Sequence, residues 1–448
     1  MWNQTRSMFL SDIRGSVALT FSICALILLG MISLAVDYGM RLRYQTLLDH
    51  AIDAAALAGV EQIRTDIQAG KTSSASITDA TAVAQQVYSA NLGLAQSTLG
   101  ATASFSFSNV GSTWTTSATY SASSPTTVAK IFGNSSFGLQ RTVSTTVTLG
   151  SYLSFYLLVD VSGSMGLPST NSGQTKLASV NPDDRSQYPN GCTFACHFPG
   201  YSGYPLSRNG GNGSNPSVTY CPQPDTSACI QLRVDAVAYA VQQLISTAQS
   251  TATLPNQFAI GLYPFIVHMN AYVPVTTNLA TVSTNAGNLT SLLDTGSGVL
   301  GSGGTHFENA LPEMGSAILN VGDGSSSSSP RPFVFFVTDG AQDNQQQSGG
   351  SWWGSNQATT LDESACTQLK NRGITVSVLY IPYTPIQNPT SFAGGEDFAA
   401  NSNIANIPGH LQACASPGFY FAANTPSDIT SAMQAMFQQS LQSARITR

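Results

Sequence analysis

The sequence predicts a mixed α/β protein: a membrane-spanning N-terminal helix, a small α+β domain, and a doubly wound, mostly parallel sheet of Rossmann-like type carrying a disulfide-rich insertion. Three observations predict it. Val17 to Val36 is an apolar stretch without a charge. Between residues 103 and 149 apolar side chains recur with a period of two. From Leu153 onward, apolar strands alternate with segments of helical period, the pattern of βαβ units.

At 448 residues the chain has room for about two to three domains. Charged residues make up 9% against 42% hydrophobic, and Ser, Thr, Gly and Asn stand where surface Lys and Glu usually do, as suits an exported protein. A net charge of -6 and a pI near 5.2 leave no basic patch to release counterions from phosphates, so no nucleic-acid partner is expected. Of seven cysteines, Cys24 lies in the apolar stretch, while Cys192, Cys196, Cys221, Cys229, Cys366 and Cys414 follow it. An even set beyond the anchor predicts disulfides and an oxidising compartment.

Arg14 and Asp37 bound the apolar stretch, which as a helix rising about 1.5 Å per residue spans about 30 Å, the thickness of a bilayer core. It exceeds the about 7 to 15 apolar residues of a signal peptide, so an uncleaved anchor is expected over 17–36, with 1–16 cytoplasmic. Flanking charge does not orient it, since Arg6 and Arg14 balance Arg41 and Arg43. The cysteines place the remainder outside.

Beyond the anchor, small residues at Ala51, Ala54, Ala55 and Ala58 continue the helix, and a second helix covers about 77–92. Alternation at Ala103, Phe105 and Phe107, over 114–120, and at Val143, Thr145, Val147 and Leu149 reads as a small antiparallel sheet. A long helix followed by a small sheet gives 37–150 a pilin-like outline. Arg14-Gly15, the anchor, Val36-Asp37-Tyr38-Gly39, and Asp49 with Asp53-Ala54-Ala55-Ala56-Leu57-Ala58-Gly59 resemble the N-terminus of TadG-like Flp pilus-assembly proteins. The resemblance implies a single-pass protein of the bacterial inner membrane, its bulk in the periplasm or outside the cell, that assembles or anchors Flp pili for tight adherence. Related pilins carry a Glu just inside the mature helix after a processing glycine. None follows Gly15, so the resemblance does not extend to pilin-type cleavage.

From Leu153 to Val159 runs an apolar strand, and Val234, Val237, Ala238, Val241, Leu244 and Ile245 then make one helix face. Strands follow near 258–267, 333–337 and 374–381. Thr425-Pro426-Ser427-Asp428 opens a last helix that buries Ile429, Met433, Met436 and Phe437.

The first of these strands runs into Asp160-Val161-Ser162-Gly163-Ser164-Met165, which sets three oxygen-bearing side chains at alternate positions, on one side of an extended chain. Gly303-Gly304-Thr305 precedes a helix over 307–319, and the strand at Phe333 ends in Thr338-Asp339-Gly340. Carboxyl ends of parallel strands are where open α/β sheets hold ligands. The ordered set Asp160, Ser162, Ser164, Thr305 and Asp339 matches the metal-ion-dependent adhesion site (MIDAS) of von Willebrand factor type A domains, a resemblance that spans 151–448. It implies direct coordination by Ser162, Ser164 and Thr305, with one or both of Asp160 and Asp339 acting largely through water. All-oxygen donors suit a hard divalent cation, Mg²⁺ first, with Mn²⁺ or Ca²⁺ as alternatives. Neutral hydroxyls leave the ion residual positive charge, so an acidic group on a protein partner can complete it.

The first metal loop continues into an insertion over 165–230 that holds Cys192, Cys196, Cys221 and Cys229. Two disulfides, in any of three pairings, are expected to pin it on the binding face. Zinc held by Cys192, Cys196 and His197 with Cys221 and Cys229 is less favoured, because the second pair is too widely spaced. Cys366 and Cys414 are left to pair with each other. The loop over 341–359 brings Trp352 and Trp353 to the same edge, either as a partner contact or as packing against the insertion. His306 reads as a helix-start residue.

Enzyme signatures are missing: the sequence has no His-Glu-x-x-His, no Gly-x-Ser-x-Gly and no phosphate loop ending in Lys-Ser/Thr. Gly296-Ser297-Gly298-Val299-Leu300-Gly301 follows a helix-like stretch, not a strand, and is not read as a dinucleotide site. The leading expectation is therefore a non-enzymatic, membrane-anchored, metal-dependent binding module serving a pilus or secretion component. A surface adhesin gripping host or matrix protein comes second, and an exported hydrolase whose cation activates water third.

Overall fold

The computed structural model describes residues 14–110, 112–180, 231–293, 298–301, 303–348, 351–353, 358–386 and 395–446. The chain divides into two compact units, Met1–Leu149 and Gly150–Arg448.

In the first unit the anchor and the alanine-rich stretch form a single 55-residue helix, α1 (Arg14–Gln68). Its apolar part is long enough to cross a membrane, with a mean hydropathy of 2.5, and its large side chains, such as Leu19, Phe21 and Leu26, are exposed. Beyond Val36 the same helix acquires a packed face. Leu48, Ala51, Ile52, Ala55, Ala56, Val60 and Ile63 are buried against α2 (Ser73–Leu92) and a sheet of β1 (Thr102–Val110), β2 (Thr113–Pro125) and β3 (Ser136–Thr148). The sheet is antiparallel in the order β1-β2-β3. Alternate residues Trp114, Thr116, Ala118, Tyr120 and Ala122 of β2 face inward, as the period of two requires.

Two of the three aspartates in the TadG-like motif, Asp37 and Asp49, tie helix to sheet. Asp37 accepts amide hydrogen bonds from Thr127 at 2.7 Å, Val128 at 3.1 Å and Ala129 at 2.7 Å, all in the β2–β3 connection. Asp49 accepts from the Tyr120 hydroxyl at 2.7 Å and pairs with Arg141 at 3.0 Å. Asp37→Ala is expected to free the connection, raising hydrogen exchange at the 127–129 amides by about tenfold or more, while Asp37→Asn, which keeps an acceptor oxygen, has a smaller effect.

The second unit is a six-stranded sheet. Its strands are β4 (Leu153–Asp160), β5 (Phe258–Phe265), β6 (Val273–Thr276), β7 (Arg331–Thr338), β8 (Thr375–Tyr380) and β9 (Tyr420–Ala422). Their order is β9-β8-β7-β4-β5-β6. Every neighbouring pair is parallel except β5 with β6. The chain winds from β4 out to β6, then returns to β7 and winds the other way, so the crevice between β4 and β7 is a topological switch point. This is the doubly wound order expected of a type A domain. The short antiparallel edge strand β6 was not foreseen.

Helices cover both faces. The insertion begins with α3 (Asn171–Val180). On one face lie α4 (Arg233–Thr251), α5 (Leu279–Ala286) and, last in the chain, α10 (Pro426–Ile446). On the other lie α6 (Phe307–Ala317), α7 (Ser364–Asn371) and α9 (Ile407–Cys414), with the short α8 (Glu396–Asn403) before α9. The helix expected over 307–319 stops at Ala317, where the Arg372 guanidinium binds the carbonyls of Gly315 and Ile318. Phe155 packs on Phe333, Phe335 and Phe437 in the first layer, and Phe307 packs on Phe265 and Phe336 in the second. The last helix is capped reciprocally: Thr425 N donates to Asp428 and Asp428 N to the Thr425 hydroxyl. Ile429, Met433, Met436 and Phe437 are fully buried, as expected.

Cys366 of α7 and Cys414 of α9 are disulfide-bonded, with Cα atoms 5.1 Å apart. The four insertion cysteines, Cys192, Cys196, Cys221 and Cys229, lie outside the described residues. The bond closes a loop of sequence separation 48, so Cys366→Ala with Cys414→Ala should lower stability by about 4 kcal/mol on the loop-entropy scale. The midpoint of urea unfolding checks this.

Candidate metal centre

The site grows from the switch point. Val159 pairs with Val337, so β4 and β7 end side by side: Asp160 closes β4, Thr338 closes β7 and Asp339 comes next. Asp160 Oδ1 accepts the Ser162 amide at 2.9 Å and Oδ2 accepts the Thr338 hydroxyl at 2.7 Å, whose oxygen accepts the Gly340 amide at 2.9 Å. Asp160 and Asp339 are completely buried. Ser162 stays extended, but Gly163–Gly166 closes into a 3-10 turn. Ser164 therefore reaches the site from a turn and not, as alternation suggested, from extended chain. Its hydroxyl lies 3.4 Å from that of Ser162 and also bonds Asp339.

Thr305 arrives separately. Its amide donates to Asp343 O at 2.7 Å, and the Asp343 amide returns a bond to Thr305 O at 3.1 Å; the His306 amide donates to Ile266 O at 2.9 Å. These bonds hold Thr305 between the end of β5 and the loop after Asp339. Gly304 makes the approach feasible: it has φ +75°, and a Cβ there would sit 2.4 Å or less from the carbonyl oxygens of Asp343 and Gln345.

One charged participant escaped the sequence reading. Arg233, the first residue of α4, is fully buried and donates from Nη1 to Asp339 Oδ2 at 2.8 Å and Ser164 O at 3.2 Å. Its Nη2 donates to Pro382 O at 3.0 Å and to the Thr384 hydroxyl at 2.8 Å. An arginine opening the otherwise apolar helix face was the available signal. Burial and the neighbouring Asp339 charge push the Asp160 carboxyl above the ordinary carboxylate range. Burial also raises Asp339, and the Arg233 guanidinium opposes that rise.

The donors fit a hard cation. Among the described residues no group of three or more His, Cys, Asp or Glu side chains gathers to bind metal, so coordination at this edge would rest on hydroxyls and two carboxylates. Adjacent ligands on an octahedron are separated by √2 times the bond length, about 2.9 Å for Mg²⁺ and about 3.3 to 3.7 Å for Ca²⁺. The serine hydroxyls, 3.4 Å apart, sit within a small adjustment of either. Among the described residues the nearby histidines are engaged elsewhere. His306, at the N-cap of α6, contacts Glu308 at 2.7 Å and Gln345 O at 3.0 Å, and His268 contacts Glu313 at 2.7 Å. The loop after Asp339 forms a ribbon in which Ser351–Trp353 pairs with Gln346–Ser348. The side chains of Trp352 and Trp353 lie outside the described residues.

Residues 15–62 match the family model of putative Flp pilus-assembly TadE/G-like proteins. No curated protein matches the chain. Among solved structures it is similar to the von Willebrand factor domain of the type V pili tip protein Mfa5 from Porphyromonas gingivalis, at 11% identity over 67% of this chain and 98% of that one, with a TM-score of 0.33. It is also similar to the conserved hypothetical protein BatB from Bacteroides thetaiotaomicron, at 14% over 64% and 99%, with a TM-score of 0.32. Proximal thread matrix protein 1 from the mussel byssus matches at 10% over 65% of this chain, with a TM-score of 0.33, and the chain spans 49% of that protein's length. The strand order and the gathering of Asp160, Ser162, Ser164 and Asp339 at the strand ends agree with the doubly wound fold expected from the sequence. The match to the TadE/G-like model is confined to residues 15–62, within and just beyond the long apolar helix.

Proposed function

We propose that this protein is a membrane-anchored, cation-dependent binding component of Tad-type pilus assembly, held in the bacterial inner membrane by its N-terminal helix with the bulk of the chain in the periplasm or outside the cell. The observation that carries the reading is the convergence of Asp160, Ser162, Ser164 and Asp339 at the β4/β7 switch point, with Thr305 brought to the same edge. Ser162, Ser164 and Thr305 would hold Mg²⁺, or Mn²⁺ or Ca²⁺, directly, and Asp160 and Asp339 would orient its waters. The ion supplies a positive centre that a carboxylate on a pilus or secretion component can ligate. Binding is favoured over catalysis because, among the described residues, the histidines near this edge, His306 and His268, pair with Glu308, Gln345 and Glu313 and not with Ser162 or Ser164.

Pull-downs from envelope extracts with and without Mg²⁺, using wild type and Thr305→Ala, test the reading. Capture of pilus or secretion components that needs both Mg²⁺ and Thr305 supports it. Capture that ignores chelation and the substitution rejects it, and Mg²⁺-dependent capture of host protein alone points to an adhesin.

A further inference from the structure

Arg233 places a fully buried positive charge against Asp339 of the proposed cation site. We propose that Arg233 is a built-in counter-charge that keeps the site from holding a divalent cation tightly until an acidic partner adds its own carboxylate. This inference rests on the proposed cation site and concerns its regulation.

Two buried carboxylates, Asp160 and Asp339, face one buried guanidinium, so the site carries a formal single negative charge. A divalent cation alone overshoots to positive, and a carboxylate from outside restores neutrality. Without Arg233 the ion by itself would neutralise both aspartates. Like charges repel strongly where solvent is excluded, and Arg233 cannot swing away to relieve that repulsion. Its Nη1 is held by Asp339 and Ser164 O, and its Nη2 by Pro382 O and Thr384. Thr384 also accepts from Gln174 at 2.8 Å. Asp235 fixes the helix start beneath it, accepting from the Leu232 amide at 2.8 Å and the Thr290 hydroxyl at 2.7 Å. Cation and partner then bind cooperatively, each raising the affinity for the other by the same factor.

The competing account makes Arg233 only a clamp between loops. The two differ in sign: losing a clamp loosens the donors and weakens cation binding, whereas losing a repelling charge strengthens it. Mn²⁺ is titrated calorimetrically into the full-length chain in detergent at pH 8 as wild type, Arg233→Met and Arg233→Lys. Arg233→Met is expected to bind at least about tenfold tighter, and Arg233→Lys, which keeps the charge, to stay within about threefold of wild type. An Arg233→Met chain that folds only with Mn²⁺ also supports the proposal, because the ion then replaces the guanidinium. Equal or weaker binding by Arg233→Met beside a binding wild type overturns it, as does a variant unfolded with and without Mn²⁺. If none of the three chains binds Mn²⁺, the cation reading itself fails.

Discussion

Asp339→Ala is expected to lower the stability of the α/β unit by about 3–5 kcal/mol, because it strands a buried guanidinium charge. Arg233 and Asp339 are both fully buried and meet at 2.8 Å, so no solvent replaces the lost partner. Asp339→Asn keeps an acceptor oxygen for Arg233 but not the charge, and should fall between wild type and Ala. The double variant Arg233→Met with Asp339→Ala should cost less than the sum of the two single changes, since it removes both members of the pair. Urea unfolding of the full-length chain, read by tryptophan fluorescence in chelator, gives all four values. A loss no larger than that of an exposed pair, about 1 kcal/mol or less, would contradict the buried pairing.

Asp160→Asn has the opposite expected sign. In the folded chain without cation, burial and Asp339 hold the Asp160 carboxyl above its ordinary range. A raised acid contributes stability that is complete below its unfolded pKa and disappears as pH rises through the folded pKa. Cation-free wild type should therefore lose melting temperature between mildly acidic and mildly alkaline pH. Asp160→Asn, lacking that titration, should keep it and exceed wild type at pH 8. Its amide oxygen can still accept the Ser162 amide. The same substitution should abolish Mn²⁺ binding, so the variant is stabler without the ion and unresponsive to it. A cation-free wild type whose melting temperature rises over the same pH interval would contradict this reading of Asp160.

Much of this was legible from the sequence because it rests on local signals. The anchor follows from uncharged length, and the strands at Leu153, Phe258 and Phe333 from apolar runs between turn residues. The cap at Thr425 follows from a Thr-x-x-Asp spacing that the structure closes reciprocally. The candidate metal ligands were legible as an ordered set on strand ends, where the sheet topology brings Asp160 and Asp339 together. Other features required tertiary contacts. Arg233 opens an apolar helix face, and only the fold shows that its partner is Asp339, far along the chain. The short edge strand β6 has too few residues for its alternation to stand out. Ser164 reaches the site through a 3-10 turn, which a period of two cannot anticipate. Asp37 and Asp49 were readable as motif residues, but their work as acceptors for the β2–β3 connection and for Tyr120 depends on contacts between helix and sheet.

The most direct test is calorimetric titration of Mn²⁺ into the full-length protein, as wild type and as the pair Ser162→Ala with Ser164→Ala. These hydroxyls are proposed direct ligands, and neither takes part in the Arg233–Asp339 pair through its own charge, so the fold should survive their loss. The account predicts one ion per wild-type chain and no measurable binding by the double variant. Binding that persists in the double variant, or a wild type that takes up no ion, would contradict it.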